Sequence, residues 1–360
     1  MPRGAPLPAL TGLRFLAAAH VVVYHALRPV LVDAAPGPAA IAASGASAVT
    51  LFFVLSGFVL VHVYGHQVEA RPFWGARFAR LAPLYWAALL LALPIGAMAR
   101  ARGVVSDPLG PASLALVATG LQAWVPPAAL RWNPPAWSLS CELFFYALFP
   151  LLARALGARS ARAAFAAGAA VWLVGVALPV AYLAVDPDGL GTPRITDEAS
   201  WLNAIKLSPL ARLPDFVVGV VAGLLVRTGA HLPRGLGPAA LALTLLLAAS
   251  GVVPALLLHN GLLAPLFAVV VCWLAVDSGL LARLLSTRPL QLLGEASYAL
   301  YLLHVPLFLW AMALTRQTAL PPTHALVVGA LAVPVAVLAH LLLERPLRRW
   351  LRARLTGERA

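Results

Sequence analysis

The sequence predicts an all-α, polytopic transmembrane helical bundle of about ten spans, and three observations carry that expectation. Of the 360 residues, 61% are hydrophobic and only 11% are charged, against roughly 45 to 50% and 25% in a soluble domain. Apolar stretches recur from Leu10 almost to Leu343, and many reach the roughly 20 residues that cross a bilayer core. The charge is confined to short segments between them. That charge is +13 with a pI near 11.1. No aromatic residues are interleaved with the arginines, so they read as markers of the cytoplasmic side rather than as a nucleic-acid surface.

Spans are expected in order near 10–31, 46–64, 81–99, 137–156, 163–185, 209–226, 237–257, 262–282, 291–314 and 324–343. The stretch behind Arg3 resembles a secretory signal in outline only, because Arg14, His20 and His25 interrupt it; it reads as the first span. Orientation follows from arginine in the short loops. Arg71, Arg77 and Arg80 follow the second span, Arg154, Arg159 and Arg162 the fourth, and Arg227 and Arg234 the sixth. Arg283 and Arg288 follow the eighth, and Arg345, Arg348, Arg349, Arg352 and Arg354 the tenth. Those loops and both termini are expected in the cytoplasm. The arginine-poor loops, including the one with Asp186, Asp188, Asp197 and Glu198, are expected outside. Residues 112–125 form an apolar run too short to cross, expected as a re-entrant or interfacial hairpin on the outer side. Cys141 and Cys272 lie in apolar runs and suggest neither a disulfide framework nor a metal site.

Ionisable groups within hydrocarbon cost at least about 2.5 to 3.5 kcal/mol each, so each one asks for a reason. Arg14 and His25 are eleven positions apart, which returns to within roughly 20° of the same helical direction and separates them by about 16 Å along the axis. Arg14 is thus expected at the mouth of a pathway ending at His25; a membrane-anchoring arginine and a core histidine form the bland alternative. His20 points elsewhere and reads as structural. Glu142 is the one acid of the fourth span, a turn after Ser138. It is a candidate to orient an imidazole or bind an acceptor, against a protonated interhelix bridge. Ser297, Tyr301 and His304 share one stripe, as a channel wall or as polar glue between helices. Arg77 and Arg80 fall on one face if helical, and read either as topology markers or as forks for phosphate. Glu344 and Arg345 read as an anchoring pair.

Five ordered blocks then carry a resemblance. They are LTGLRFLAAAHVVVYHA at Leu10–Ala26, LFFVLSGFVL at Leu51–Leu60, RFARLAPLYW at Arg77–Trp86, WSLSCELFFYALFP at Trp137–Pro150 and LGEASYALYLLHVP at Leu293–Pro306, closed by ERP at Glu344–Pro346. Together they resemble the type 3 membrane acyltransferases over nearly the whole chain. Thr11 and Leu143 depart from a pattern that is often acidic at both places. The resemblance implies an acyltransferase domain over residues 1–350 with a short basic tail at 351–360, in the plasma or inner membrane. It implies His25 as the catalytic histidine, with Arg14, Arg77 and Arg80 binding acyl-CoA, acetyl-CoA being the expected form. It implies transfer to a hydroxyl of a carbohydrate or another envelope or secondary-metabolite acceptor, with membrane lipid as surroundings and neither metal nor nucleic acid as partner. A neutral imidazole suits such chemistry, as a base or through an acyl-histidine. The competing reading is a proton-coupled transporter using the same buried His, Glu and Arg. No repeated halves or paired broken helices support it.

Overall fold

A computed structural model describes residues 4–31, 37–103, 107–229, 232–233 and 235–356; Arg3, Arg234 and residues 357–360 lie outside the described residues. Among these every regular element is a helix, with no strand. Ten membrane-region helices follow in order: α1 (Pro8–Leu31), α2 (Ala48–Tyr64), α3 (Ala70–Ala101), α4 (Trp137–Gly157), α5 (Ala161–Val185), α6 (Pro209–Arg227), α7 (Leu236–Ala249), α8 (Ala264–Val276), α9 (Ser297–Thr315) and α10 (Pro322–Ala339). A basic helix, α11 (Arg345–Thr356), follows them.

By length and hydropathy, nine of the described segments are able to cross a bilayer, α8 only together with the helical piece before it as Ala255–Val276; α7 falls short with 14 residues, about 21 Å of helix against a core of roughly 30 Å. The span expected at 237–257 therefore ends early, at Ser250. Pro254 starts a new helical piece, Ala255–His259, which leads into α8. Two further boundaries differ from expectation. The 32-residue α3 begins at Ala70 rather than near 81, so Arg77 and Arg80 lie inside a helix and not in a loop. The ninth span is broken between Arg288–Glu295 and α9, which puts Ser297 at a helix start.

Small residues set the closest crossings. A Cβ on Gly219 of α6 would run into the Val54 carbonyl of α2, and one on Gly57 of α2 into the Phe216 carbonyl; Gly223 faces Val61 in the same way. The pair Gly219/Gly223 is a G-x-x-x-G step, which lets two backbones meet without intervening side chains. Gly294 likewise lies on the Thr11 carbonyl and seats the break before α9 against α1.

The same α2–α6 crossing encloses a charged cluster. Arg212, wholly buried, reaches Asp215 at 2.8 Å and Thr50 Oγ1 at 2.7 Å, and also donates to the His259 carbonyl. Each charge has a partner there, as a buried ion must.

The loops sort into two ends. At one end His62 bonds the Ala5 carbonyl, Gly157 abuts His66, and Gly75 abuts Leu355 of α11. At the other, Arg28 reaches the Thr196 carbonyl, Gly37 N–H the Ala249 carbonyl, and Arg131 pairs with Glu198 at 3.1 Å.

Between α3 and α4 the chain turns back into the bundle. The nine-residue helix Pro111–Thr119 starts beside the end of α3, where Asp107 pairs with Arg100 at 2.8 Å. It descends until Tyr85 donates to the Val117 carbonyl and Trp86 to the Ala118 carbonyl, midway along α3. Irregular backbone at such depth must be satisfied by protein. Gln122 Nε2 does so for the Ala136 carbonyl and Tyr301 for Pro135, and Asn133 Nδ2 donates in turn to the Leu302 carbonyl of α9. Because of this re-entrant segment α4 begins deep in the bundle, and Ser138 and Glu142 follow at once.

Candidate active site

A cavity of about 280 Å³ opens among α1, α2, α3, α4 and α9. Its wall holds Arg14 from α1, Arg77 and Arg80 from α3, Ser138 and Glu142 from α4, and Ser297 and Tyr301 from α9. Seven of the nine residues singled out from sequence therefore meet in one space, although they come from four helices. The α3 pair is one helical turn apart, which aims both guanidinium groups the same way. Among the described residues Arg14 and Arg80 make no hydrogen bond, and Arg77 makes one, to Tyr64 Oη at 3.1 Å. The Arg77 head lies over the rings of Tyr64, Phe73 and Tyr146, 5.5 to 6.0 Å from their centroids. Such rings hold a guanidinium without using up its N–H donors.

In the same cavity, Tyr146 Oη donates to Glu142 Oε2 at 3.1 Å and is reached by Ser56 Oγ at 3.3 Å. Ser138 Oγ and Tyr301 Oη lie 2.9 Å apart, and each comes within 3.1 Å of the Pro135 carbonyl. The cavity thus combines three guanidinium groups with several hydroxyls and one carboxyl group.

His25 and His304 stand off this cavity. Their rings meet edge to face with centroids 4.9 Å apart, and His304 is 6.1 Å from the cavity-lining Tyr301. On its other side His25 meets Tyr24 at 5.0 Å. Tyr24 lines a second cavity of about 420 Å³ at the opposite end of α1, together with Arg28, Ser44, Ser47, Thr196 and His259. Tyr301, His304, His25 and Tyr24 therefore form a row of rings from one cavity to the other. Each imidazole has Nδ1 on the carbonyl one turn earlier, Val21 at 2.9 Å for His25 and Leu300 at 3.2 Å for His304. Nδ1–H donated in this way leaves Nε2 as the basic lone pair on both rings. His304 Nε2 is buried without a partner. His20 bonds the Ile41 carbonyl through Nε2 at 2.7 Å, a packing role.

Glu344 is not the surface anchor expected of it. It is wholly buried and bonded to His340 at 2.9 Å. Tyr64, Tyr146 and Tyr298 also line the Arg14 cavity and were not singled out from the sequence. Among the described residues no group of three or more His, Cys, Asp or Glu is placed to hold a metal.

A polytopic helical membrane protein with a cation-walled cavity on one side of a histidine pair and a second cavity on the other has the layout of a membrane enzyme. The chain matches the acyltransferase domain family over residues 7–341, and it belongs to that family. It is 31% identical to Acyltransferase MdmB of Streptomyces mycarofaciens, over 97% of this chain and 94% of that protein. Over 39% of this chain it is 37% identical to Protein 2 in picA locus of Rhizobium radiobacter, covering 78% of that protein. No solved structure matches it. The chain is thus an acyltransferase, and its multi-pass helices place it in a membrane.

Proposed function

We propose that the protein transfers an acyl group, acetyl being the expected one, from cytoplasmic acyl-CoA to a hydroxyl of a carbohydrate or another envelope or secondary-metabolite acceptor. The observation that carries this reading is the convergence of Arg14, Arg77 and Arg80 on one cavity with most of their N–H donors uncommitted. Guanidinium forks of this kind suit the phosphate groups of coenzyme A. A space of about 280 Å³ is at the low end for a ligand pocket. It suits the thioester arm, with the nucleotide toward the basic end of the bundle.

In this reading the acceptor comes through the cavity lined by Tyr24 and reaches His25 from the other side. His25 Nε2 takes the hydroxyl proton as the oxygen attacks the thioester carbonyl; the C–S bond breaks and the CoA sulfur leaves, taking up that proton from the imidazolium. Glu142, with Ser138 and Tyr301, orients the reacting groups. The test is purified protein with radiolabelled acetyl-CoA and an extract of envelope and small metabolites from cells lacking it. Release of free CoA thiol matched by new alkali-labile ester supports transfer. A thioester that stays intact while label moves across a vesicle would instead indicate a carrier.

A further inference from the structure

α2 meets the Arg14 cavity along one stripe. Phe52, Ser56, Val59 and Val63 recur at i, i+4, i+7 and i+11, and all four line the cavity. Apart from the terminal Tyr64, they are the only residues of α2 that are not buried. From Phe52 to Val63 the stripe runs about 16 Å, and the chemistry changes along it. Tyr64 bonds Arg77 at one end, and midway Ser56 meets Tyr146, the partner of Glu142. Beyond Ser56 and Glu142 the lining from α2 and α4 carries no charge. It consists there of Val49, Phe52, Phe53, Leu55, Leu139 and Ser138, whose hydroxyl is bonded to Tyr301 at 2.9 Å.

Two rings stand at this apolar end. Phe53 is 1% exposed and fixed edge to face between Trp137 and Phe145. Phe52 is the ring left partly open, and it meets Tyr301 edge to face at 5.9 Å. Behind Tyr301 come His304 and then His25, so the Phe52–Tyr301 contact closes the cavity on the side of the histidine pair. We infer that the acyl group of the donor lies at this end, its carbonyl by Tyr301 and its chain against Phe52, and that Phe52 restricts the enzyme to short acyl groups. Phosphates are drawn to the guanidinium groups and an alkyl chain to the lining without charge, which orients the thioester. A chain several methylenes longer would have to displace packed rings, which is destabilising. The inference rests on the acyl-CoA reading above and adds the class of acyl group to it.

The test uses the full-length protein in detergent and titration calorimetry with acetyl-CoA, butyryl-CoA and hexanoyl-CoA, which needs no acceptor. The wild type is expected to bind hexanoyl-CoA at least about tenfold more weakly than acetyl-CoA. Phe52→Ala should shift that ratio toward hexanoyl-CoA by about tenfold or more, the scale of two methylenes newly buried at roughly fourfold each. Phe52→Leu should shift it less and in the same direction, and serves if the alanine variant does not fold. Because the ratio is taken within one sample, a reduced folded fraction does not move it. Equal binding of hexanoyl-CoA and acetyl-CoA by the wild type, or a ratio that neither substitution changes, would overturn the length limit and leave the donor reading standing. A wild type that binds none of the three thioesters would remove both.

Discussion

The His25 and His304 rings meet edge to face at 4.9 Å, and both turn Nδ1 toward the carbonyl one helical turn behind them. One residue comes from the first span and the other from the ninth, yet the two present the same tautomer with the same nitrogen left basic. A second imidazole against the first limits how the first rotates, and it keeps lipid away from that face.

His304 should therefore matter to turnover rather than to donor binding. His304→Ala is expected to lower kcat by about 10 to 100-fold, the scale of disturbed proton transfer, with KM for acetyl-CoA within about twofold. Steady-state kinetics of the purified variant check this. A loss confined to KM would assign His304 to binding.

Arg14 and Arg77 should tolerate lysine poorly. A lysine keeps the charge but not the planar fork, so Arg14→Lys and Arg77→Lys are each expected to weaken acetyl-CoA binding by about tenfold. Titration calorimetry in detergent measures this, and wild-type affinity in both variants would remove the phosphate role.

Much of this site was legible because each polar residue in an apolar run demanded an explanation. Arg14, Glu142, Ser138, Ser297 and Tyr301 stood out for that reason, and all five line one cavity. Arg77 and Arg80 were legible as a pair, but not their setting, since a charged stretch between spans reads as a loop until packing against α11 continues α3 through it. The step between Arg14 and His25 placed both on one helix, α1. It did not reveal that the cavity wall stops at Tyr301 and that His25 lies beyond His304. Arg212 escaped notice because an arginine near a span end marks topology by default. Its burial depends on Asp215, Thr50 and the His259 carbonyl converging from separate segments. The re-entrant segment was legible from its length alone, whereas its depth depends on Tyr85 and Trp86, which propensity does not reveal.

The Arg212 cluster should be structural. Asp215→Ala leaves a buried guanidinium without its counter-charge and is expected to cost about 3 to 5 kcal/mol. A lowered melting temperature and reduced folded yield in fluorescence-detected size exclusion would show it, with acetyl-CoA affinity per folded molecule retained. An Asp215→Ala protein as stable as wild type would mean that Arg212 finds another partner.

The α2–α6 crossing gives a sharper steric test. A valine at Gly219 would strike the Val54 backbone, which is unable to retreat while Gly57 lies on Phe216. Gly219→Val is expected to abolish folded protein, whereas Gly229→Ala, which has open space at its Cβ and costs only the backbone strain of φ 81°, should still yield it. Equal folded yields from the two would contradict the packing described here.

The central claim is that His25 performs the proton transfer for a donor held by the three arginines. The most direct measurement is single-turnover acyl transfer by purified His25→Ala, with acetyl-CoA affinity determined on the same sample. The account predicts affinity close to wild type and a transfer rate reduced by at least about 100-fold. A variant that binds acetyl-CoA and still transfers at the wild-type rate would contradict it.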